Sequence, residues 1–240
     1  TQPADDAGGL AVSMKLSGTI NRLSGVEKNI DNAISFLQVQ DGVLESAGKI
    51  LDRMAELKAL SQDVLKNDSD IANYNAEFKN LQVQLYQMSE TTFNGVSLFA
   101  TTYVNAAGVT TNADFNTAGS GNTVSIFTSA TGESGSIVSI NKTALLGALT
   151  ITASTTSTKN AFQDADGTAT FSFGSATTGA AFELGDVSVA VFTQALQNVA
   201  TLRAENGGSV SRLQFSKESA AAQRTNLEAA NGRIMDVDIA

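Results

Sequence analysis

The sequence predicts a mainly α protein with a β-rich insertion. Long N- and C-terminal helices would pack together as an antiparallel helical rod carrying a small α+β or β outer domain. Three observations carry this. Residues from about Asp5 to Ser89, and again from about Asp186 to Ala240, set apolar side chains three and four apart among good helix formers. Between them lies a tract rich in Ser, Thr, Gly and Ala with short alternating runs. Proline, which breaks helices, occurs once, at Pro3.

The first helix is expected over about Asp5–Val39, with Leu16, Ile20, Leu23, Val26, Ile30, Ile34 and Leu37 on one stripe. Asp5 and Asp6 stand where a helix N-terminus favours acceptors and negative charge. A second helix follows over about Asp41–Lys66, with Leu44, Leu51, Met54, Leu57, Ser61 and Val64 on its face. The third covers about Asp70–Ser89. There Ile71, Tyr74, Phe78, Leu81, Leu85 and Met88 keep a 3-4-3-4-3 spacing, which calls for packing against long partner helices. Asn67-Asp68-Ser69 reads as the turn between the last two.

The C-terminal helix repeats this pattern, with Phe192 and Val199 seven apart and Leu213, Ala220, Leu227 and Ile234 likewise. Gly207-Gly208 interrupts it, as a flexible point or a close helix–helix approach. Neither seam can be buried alone, so the two ends of the chain are expected to meet. That places a discontinuous helical domain at 1–97 and 186–240 and the insertion at 98–185. Within the insertion, Thr123–Phe127, Ser136–Ile140, Leu149–Thr152 and Thr170–Phe173 alternate polar with apolar, as strands of small antiparallel sheets do.

Composition narrows the function. The chain has 42% hydrophobic and 16% charged residues, which suits a folded core. It contains no His, Cys or Trp. Zinc, copper, haem and iron–sulfur sites lose their usual ligands, and nucleophile–His or Cys–His catalysis is excluded. No cofactor or metal is expected, and no enzymatic activity. A net charge of -9 opposes nucleic-acid binding, which needs clustered Lys and Arg. The longest apolar run, Ala144–Leu149, is far short of the ~20 residues a membrane span requires. The start at Thr1, without an initiator Met or leader, reads as that of an internal fragment cut at both ends.

Several stretches together resemble bacterial flagellin. Ala4-Asp-Asp-Ala-Gly-Gly-Leu-Ala-Val12 is similar to the start of its rod domain, Ile50–Leu57 to its second helix, and Thr92-Phe-Asn-Gly-Val96 to the turn closing its third. Leu202-Arg-Ala204, Gly207, Arg212-Leu213 and Arg233–Ala240 resemble the returning helix, although Asn206-Gly207-Gly208 and Ser211 depart from its usual pattern. The resemblance implies a structural filament subunit, exported by the flagellar type III pathway and working outside the cell in motility. Its partners would be other copies of itself, an export chaperone and the filament cap, with the insertion as a variable outer domain. It also implies further heptad segments before Thr1 and after Ala240, without which this fragment stays monomeric.

Arg53, Glu56 and Leu57 match the family patch that contacts neighbouring subunits and, in some members, an innate-immune Toll-like receptor. Gln82 stands where receptor-activating relatives carry an accompanying Glu. The plainer reading of Arg53, Glu56 and Leu57 is a solvated helix face with one core Leu. Asp164-Ala-Asp-Gly167 lacks the further acceptors of a calcium loop and reads as a polar turn. Lys15, Arg22, Lys28, Lys49 and Lys58 lie among acids and read as i,i+4 partners and solubilising charge. Glu133, Glu183 and Asp186 form no recognisable acid–base motif. Two other readings remain: a hook–filament junction protein, and a flagellin-like surface protein binding a polysaccharide through the Phe residues of the insertion. The zinc-protease insertion of some flagellins requires His and is excluded.

Overall fold

A computed structural model describes residues 7–100, 102–104, 110–112, 123–154 and 168–237 of the chain. Helix α1 runs over Ala7–Ser61 and α2 over Asp68–Ser89. After them come a tight hairpin of β1 (Thr92–Phe93) and β2 (Val96–Ser97), then β3 (Thr102–Val104) and β4 (Thr110–Asn112). Next are β5 (Thr123–Phe127), β6 (Ile137–Asn141), the short helix α3 (Leu145–Ala148), β7 (Thr150–Ser154) and β8 (Thr168–Ser172). Helix α4 closes the order over Val189–Val237. The strands pair two by two: β1 with β2, β3 with β4, β5 with β6 and β7 with β8. The last pair is antiparallel, with Ile151 opposite Phe171. All four strands expected from alternation are present, within a residue or two of the expected bounds. Tyr103, Phe115, Phe162 and the 164–167 turn lie outside the residues or side chains described.

Two expected helices are one. Nothing breaks α1 between Val39 and Asp41, and the reason is visible in burial. Leu37, Gln40, Leu44, Ala47, Leu51 and Met54 are all buried, a continuous 3-4 row in which the polar Gln40 occupies a core position. The Gln40 amide is accommodated by donating to the Leu98 carbonyl at 2.6 Å. At its other end α1 stops at Ser61, short of the expected Lys66. The Asp63 carboxylate accepts from the Leu65 N–H at 3.0 Å, a local bond that competes with the helix. Val64 therefore leaves the helix face and is 94% exposed. Asn67 is a cap, not a turn residue: it accepts from Asp70 N at 2.9 Å while Asp70 accepts from Asn67 N at 3.4 Å.

The Thr92–Ser97 hairpin turns through Asn94 and Gly95, whose φ values are 49° and 78°. A two-residue turn with both central residues left-handed suits Asn-Gly because neither suffers the usual penalty there. Gly207 and Gly208 give the opposite result. Helix α4 runs through them without a break, and a Cβ built at either would meet nothing within 4 Å. They are neither an interruption nor a close approach.

The chain forms two compact units. One consists of Thr1–Leu37, Val124–Ile140 and Gly207–Ala240; the other of Gln38–Thr123 and Asn141–Asn206. In the first, Leu23, Val26, Ile30 and Ala33 of α1 are buried along with Leu213 and Ala220 of α4 and Val138 and Ile140 of β6. Polar contacts link α1 and α4 here: Ser13 Oγ donates to Asn231 Oδ1 at 2.7 Å, and Arg224 and Lys217 pair with Glu27 and Asp31. Arg22 Nε reaches the Ala130 carbonyl between β5 and β6 at 3.0 Å. Leu227 and Ile234, expected on the seam, are only half-buried.

The second unit has the larger aromatic core. Phe192 of α4 meets Phe78 of α2 edge-on, with ring centroids 6.1 Å apart, and Phe173 after β8 at 4.8 Å. Leu44, Leu51, Met54 and Leu57 of α1, Leu98, Leu145, Leu149 and Leu202 are buried in the same unit. Arg203 of α4 forks onto Asp41 of α1 at 2.9 and 3.1 Å.

Candidate functional site

The four residues singled out in the sequence fall in the second unit, where the last turns of α1 and helix α2 supply them. Arg53 and Glu56 are exposed and paired: Arg53 Nη1 donates to Glu56 Oε2 at 2.8 Å. The same guanidinium forks onto α2, with Nε to Glu77 Oε1 at 2.7 Å and Nη2 to Glu77 Oε2 at 3.2 Å. Glu77, and after it Glu56, hold the Arg53 guanidinium above its ordinary value. The acid that Arg53 forks onto is thus Glu77, a residue not singled out in the sequence.

Leu57 and Gln82 do not join this surface, for both are 0% exposed. Of the four, Arg53 and Glu56 alone present side chains to solvent, and Leu57 is a core leucine. The reason is helix periodicity: Leu57 continues the buried row of Leu51 and Met54, and Gln82 lies one turn from both Phe78 and Leu85.

Gln82 has a different task. Its amide bonds both ways to one residue of the segment entering α4, donating to the Phe182 carbonyl at 2.8 Å and accepting from the Phe182 N–H at 3.0 Å. Two residues on, Asn75 Oδ1 accepts from Leu184 N at 2.8 Å and Lys58 Nζ donates to the Leu184 carbonyl at 2.6 Å. Lys79 pairs with Glu183 at 2.8 Å. Side chains of α1 and α2 thus read the backbone of Phe182–Leu184 as a neighbouring strand would. Asn75, Lys79 and Gln82 sit at i, i+4 and i+7 of α2, a polar stripe beside the apolar seam. That spacing was the available signal, and a reading based on hydrophobic periodicity passes over it.

Lys58 corrects a further expectation. It is not a solubilising surface charge but 8% exposed, and burial pushes its ammonium below the usual lysine value, opposed by nearby Asp186. The charged form is therefore disfavoured in the folded state. Its penalty acts at any pH below the lowered folded value and is relieved as pH rises from there to the unfolded value of about 10.4. Over that window the unsubstituted chain should gain stability relative to Lys58→Met, read as urea midpoints across about pH 8–11. Parallel curves would show that Lys58 titrates as it does in the unfolded chain.

Glu183 and Asp186 are likewise structural: Asp186 Oδ2 accepts from Glu183 N at 3.1 Å, and Glu133 is exposed in a short 3-10 helix, Gly132–Ser134. No group of three or more His, Cys, Asp or Glu able to hold a metal occurs among the described residues. None of the described helices is long and apolar enough to cross a membrane. The arrangement holds a surface ion-pair cluster and a buried backbone clamp, chemistry suited to contact and rigidity.

The helices carrying this arrangement have known counterparts. Residues 1–103, which include α1, α2 and the Asn-Gly hairpin, match the family model described as the bacterial flagellin N-terminal helical region. The N-terminal helices thus resemble those of bacterial flagellins. The flagellar filament 31.3 kDa core protein of Treponema maltophilum is 33% identical over 108 residues, covering 45% of this chain and 38% of that one. A flagellin of Listeria innocua is 36% identical over 104 residues, covering 43% and 36% respectively. The aligned stretch thus spans little more than a third of these flagellins. The crystal structure of Bacillus cereus flagellin superposes with a TM-score of 0.53 at 20% identity, covering 85% of this chain and 94% of that one. At that identity the likeness is one of fold alone.

Proposed function

We propose that the chain is a structural subunit of a bacterial flagellar filament, acting outside the cell by self-assembly and not as an enzyme. The observation that carries this is the flagellin match across α1, which contributes to both compact units, and α2, which belongs to the second. A filament subunit needs stiff helices and a face for the next copy, meeting it in a heterologous contact that repeats without closing. Proline-free helices of 55 and 49 residues supply the stiffness. For the face, the exposed Arg53–Glu56–Glu77 cluster meets a neighbouring subunit in this reading. A Toll-like receptor would meet the same surface, with Leu57 and Gln82 as its buried support. The export chaperone, the cap and type III export complete the reading, and residues 98–185 form its outer domain.

Immunogold electron microscopy of source cells, with antibody raised against this chain, tests the proposal. Continuous label along the filaments is expected. Label confined to the hook–filament junction would make the chain a junction protein, and label over the cell body with bare filaments would remove the filament role.

A further inference from the structure

Four ion pairs described between α1 and α4 run one way. Glu27 meets Arg224 at 3.0 Å and Asp31 meets Lys217 at 2.6 Å in the first unit. Asp41 and Glu45 meet Arg203 at 2.9 and 3.5 Å in the second. In all four the acid belongs to α1 and the base to α4. The fork joining α1 to α2 has the reverse sense, with Arg53 on α1 and Glu77 on α2.

Their placement argues against a role in bulk stability. The side chains are between 18% and 51% exposed, where water screens the attraction and holding long side chains in place costs entropy. Choice of partner is a different matter. The apolar seams are chemically alike: Leu23, Ile30, Leu37, Leu44 and Leu51 recur every seven residues on α1, Phe78 and Leu85 on α2, and Leu213 and Ala220 on α4. Such seams pack against one another with little discrimination, and charges along their edges decide which pairing is allowed.

We propose that this charge polarity sorts the helices. The acidic edge of α1 accepts the basic edge of α4. It rejects α2, which would bring Glu77 against acids, and it rejects α1 of a second copy. Two α4 helices are kept apart by Arg203, Lys217 and Arg224. The polarity thereby directs α1 toward α4 and away from homotypic coiled coils between copies.

The test uses the full chain. An α4 reversal (Arg203→Glu, Lys217→Glu, Arg224→Glu) is compared with its neutral counterpart (Gln at the same three positions), with an α1 reversal (Glu27→Lys, Asp31→Lys, Asp41→Lys) and with both reversals combined. The α4 reversal should have a lower urea midpoint than the neutral variant, with a deficit that shrinks in high salt. The combined variant should recover most of the loss and sediment like the unsubstituted chain. Unfolding the two single-helix reversals together and diluting them into buffer should yield a mixed complex, formed by neither alone, because each then finds its complementary edge on the other. A reversal no worse than neutralisation would overturn the proposal, as would a combined variant no better than the reversal. Absence of the mixed complex would also overturn it, leaving the pairs without a part in partner choice.

Discussion

Phe192→Ala is expected to cost about 3–5 kcal/mol of unfolding free energy, the range for removing a fully buried aromatic ring from a core that cannot collapse around the gap. Phe192 is 1% exposed and is the ring shared by two others, Phe78 on α2 and Phe173 after β8. Removing it forfeits the buried area and both ring contacts. It also strips a face from each partner, which then lines a cavity instead of a packed interior. The surroundings cannot readily close: Phe78 sits in a 22-residue helix, and the Phe173 backbone N–H is tied to the Leu149 carbonyl at 2.9 Å. Phe192→Leu keeps part of the volume and should cost clearly less. Urea midpoints of the two variants measure the difference. A loss below about 1 kcal/mol for the alanine variant would mean that the three rings do not form one packed core.

Much of this fold is legible from period alone, and its limits follow from what period omits. Alternation located β5 to β8 because each run has a polar and an apolar side, yet alternation does not say which strand pairs with which. The 3-4 rule found every long helix but divided α1 at Gln40, since a buried amide leaves a gap in an apolar row. The same rule broke α4 at Gly207-Gly208. A glycine pair lowers helix propensity by about 1 kcal/mol per residue, and here packing of Leu202 and Leu213 on either side outweighs that.

The candidate site divides in the same way. Arg53 and Glu56 were readable as an i,i+3 pair, whereas Glu77 lies on another helix and no local spacing connects it to Arg53. Leu57 follows the buried row, so its place in the core was also legible. Gln82 groups with the contact patch through the resemblance to flagellin alone. What buries it is a segment one hundred residues further on, whose extended backbone needs a partner for its own N–H and C=O.

That dependence makes Gln82→Leu the second large effect, about 2–4 kcal/mol. Leucine approximates the volume, so little cavity opens, and the cost is almost entirely polar. The Phe182 N–H and carbonyl lose a bidentate partner in a half-buried position, at about 1–3 kcal/mol for each group left unsatisfied. Damage should spread along the segment, because the Leu184 contacts with Asn75 and Lys58 depend on the register that Gln82 sets. Amide exchange at Phe182 and Leu184 should accelerate before the remainder of the unit responds. Gln82→Glu separates the two hydrogen bonds. Its carboxylate still accepts from the Phe182 N–H but opposes the Phe182 carbonyl, and burial raises the folded pKa of the new group. Stability should therefore be low at neutral pH and recover as pH falls through that raised value, where the protonated carboxyl donates to the carbonyl as the amide did. If Gln82→Leu unfolds at the unsubstituted midpoint and Gln82→Glu shows no acid recovery, the two bonds do not hold Phe182 in place. A large loss with acid recovery would make Gln82 the residue that fastens this segment to α2.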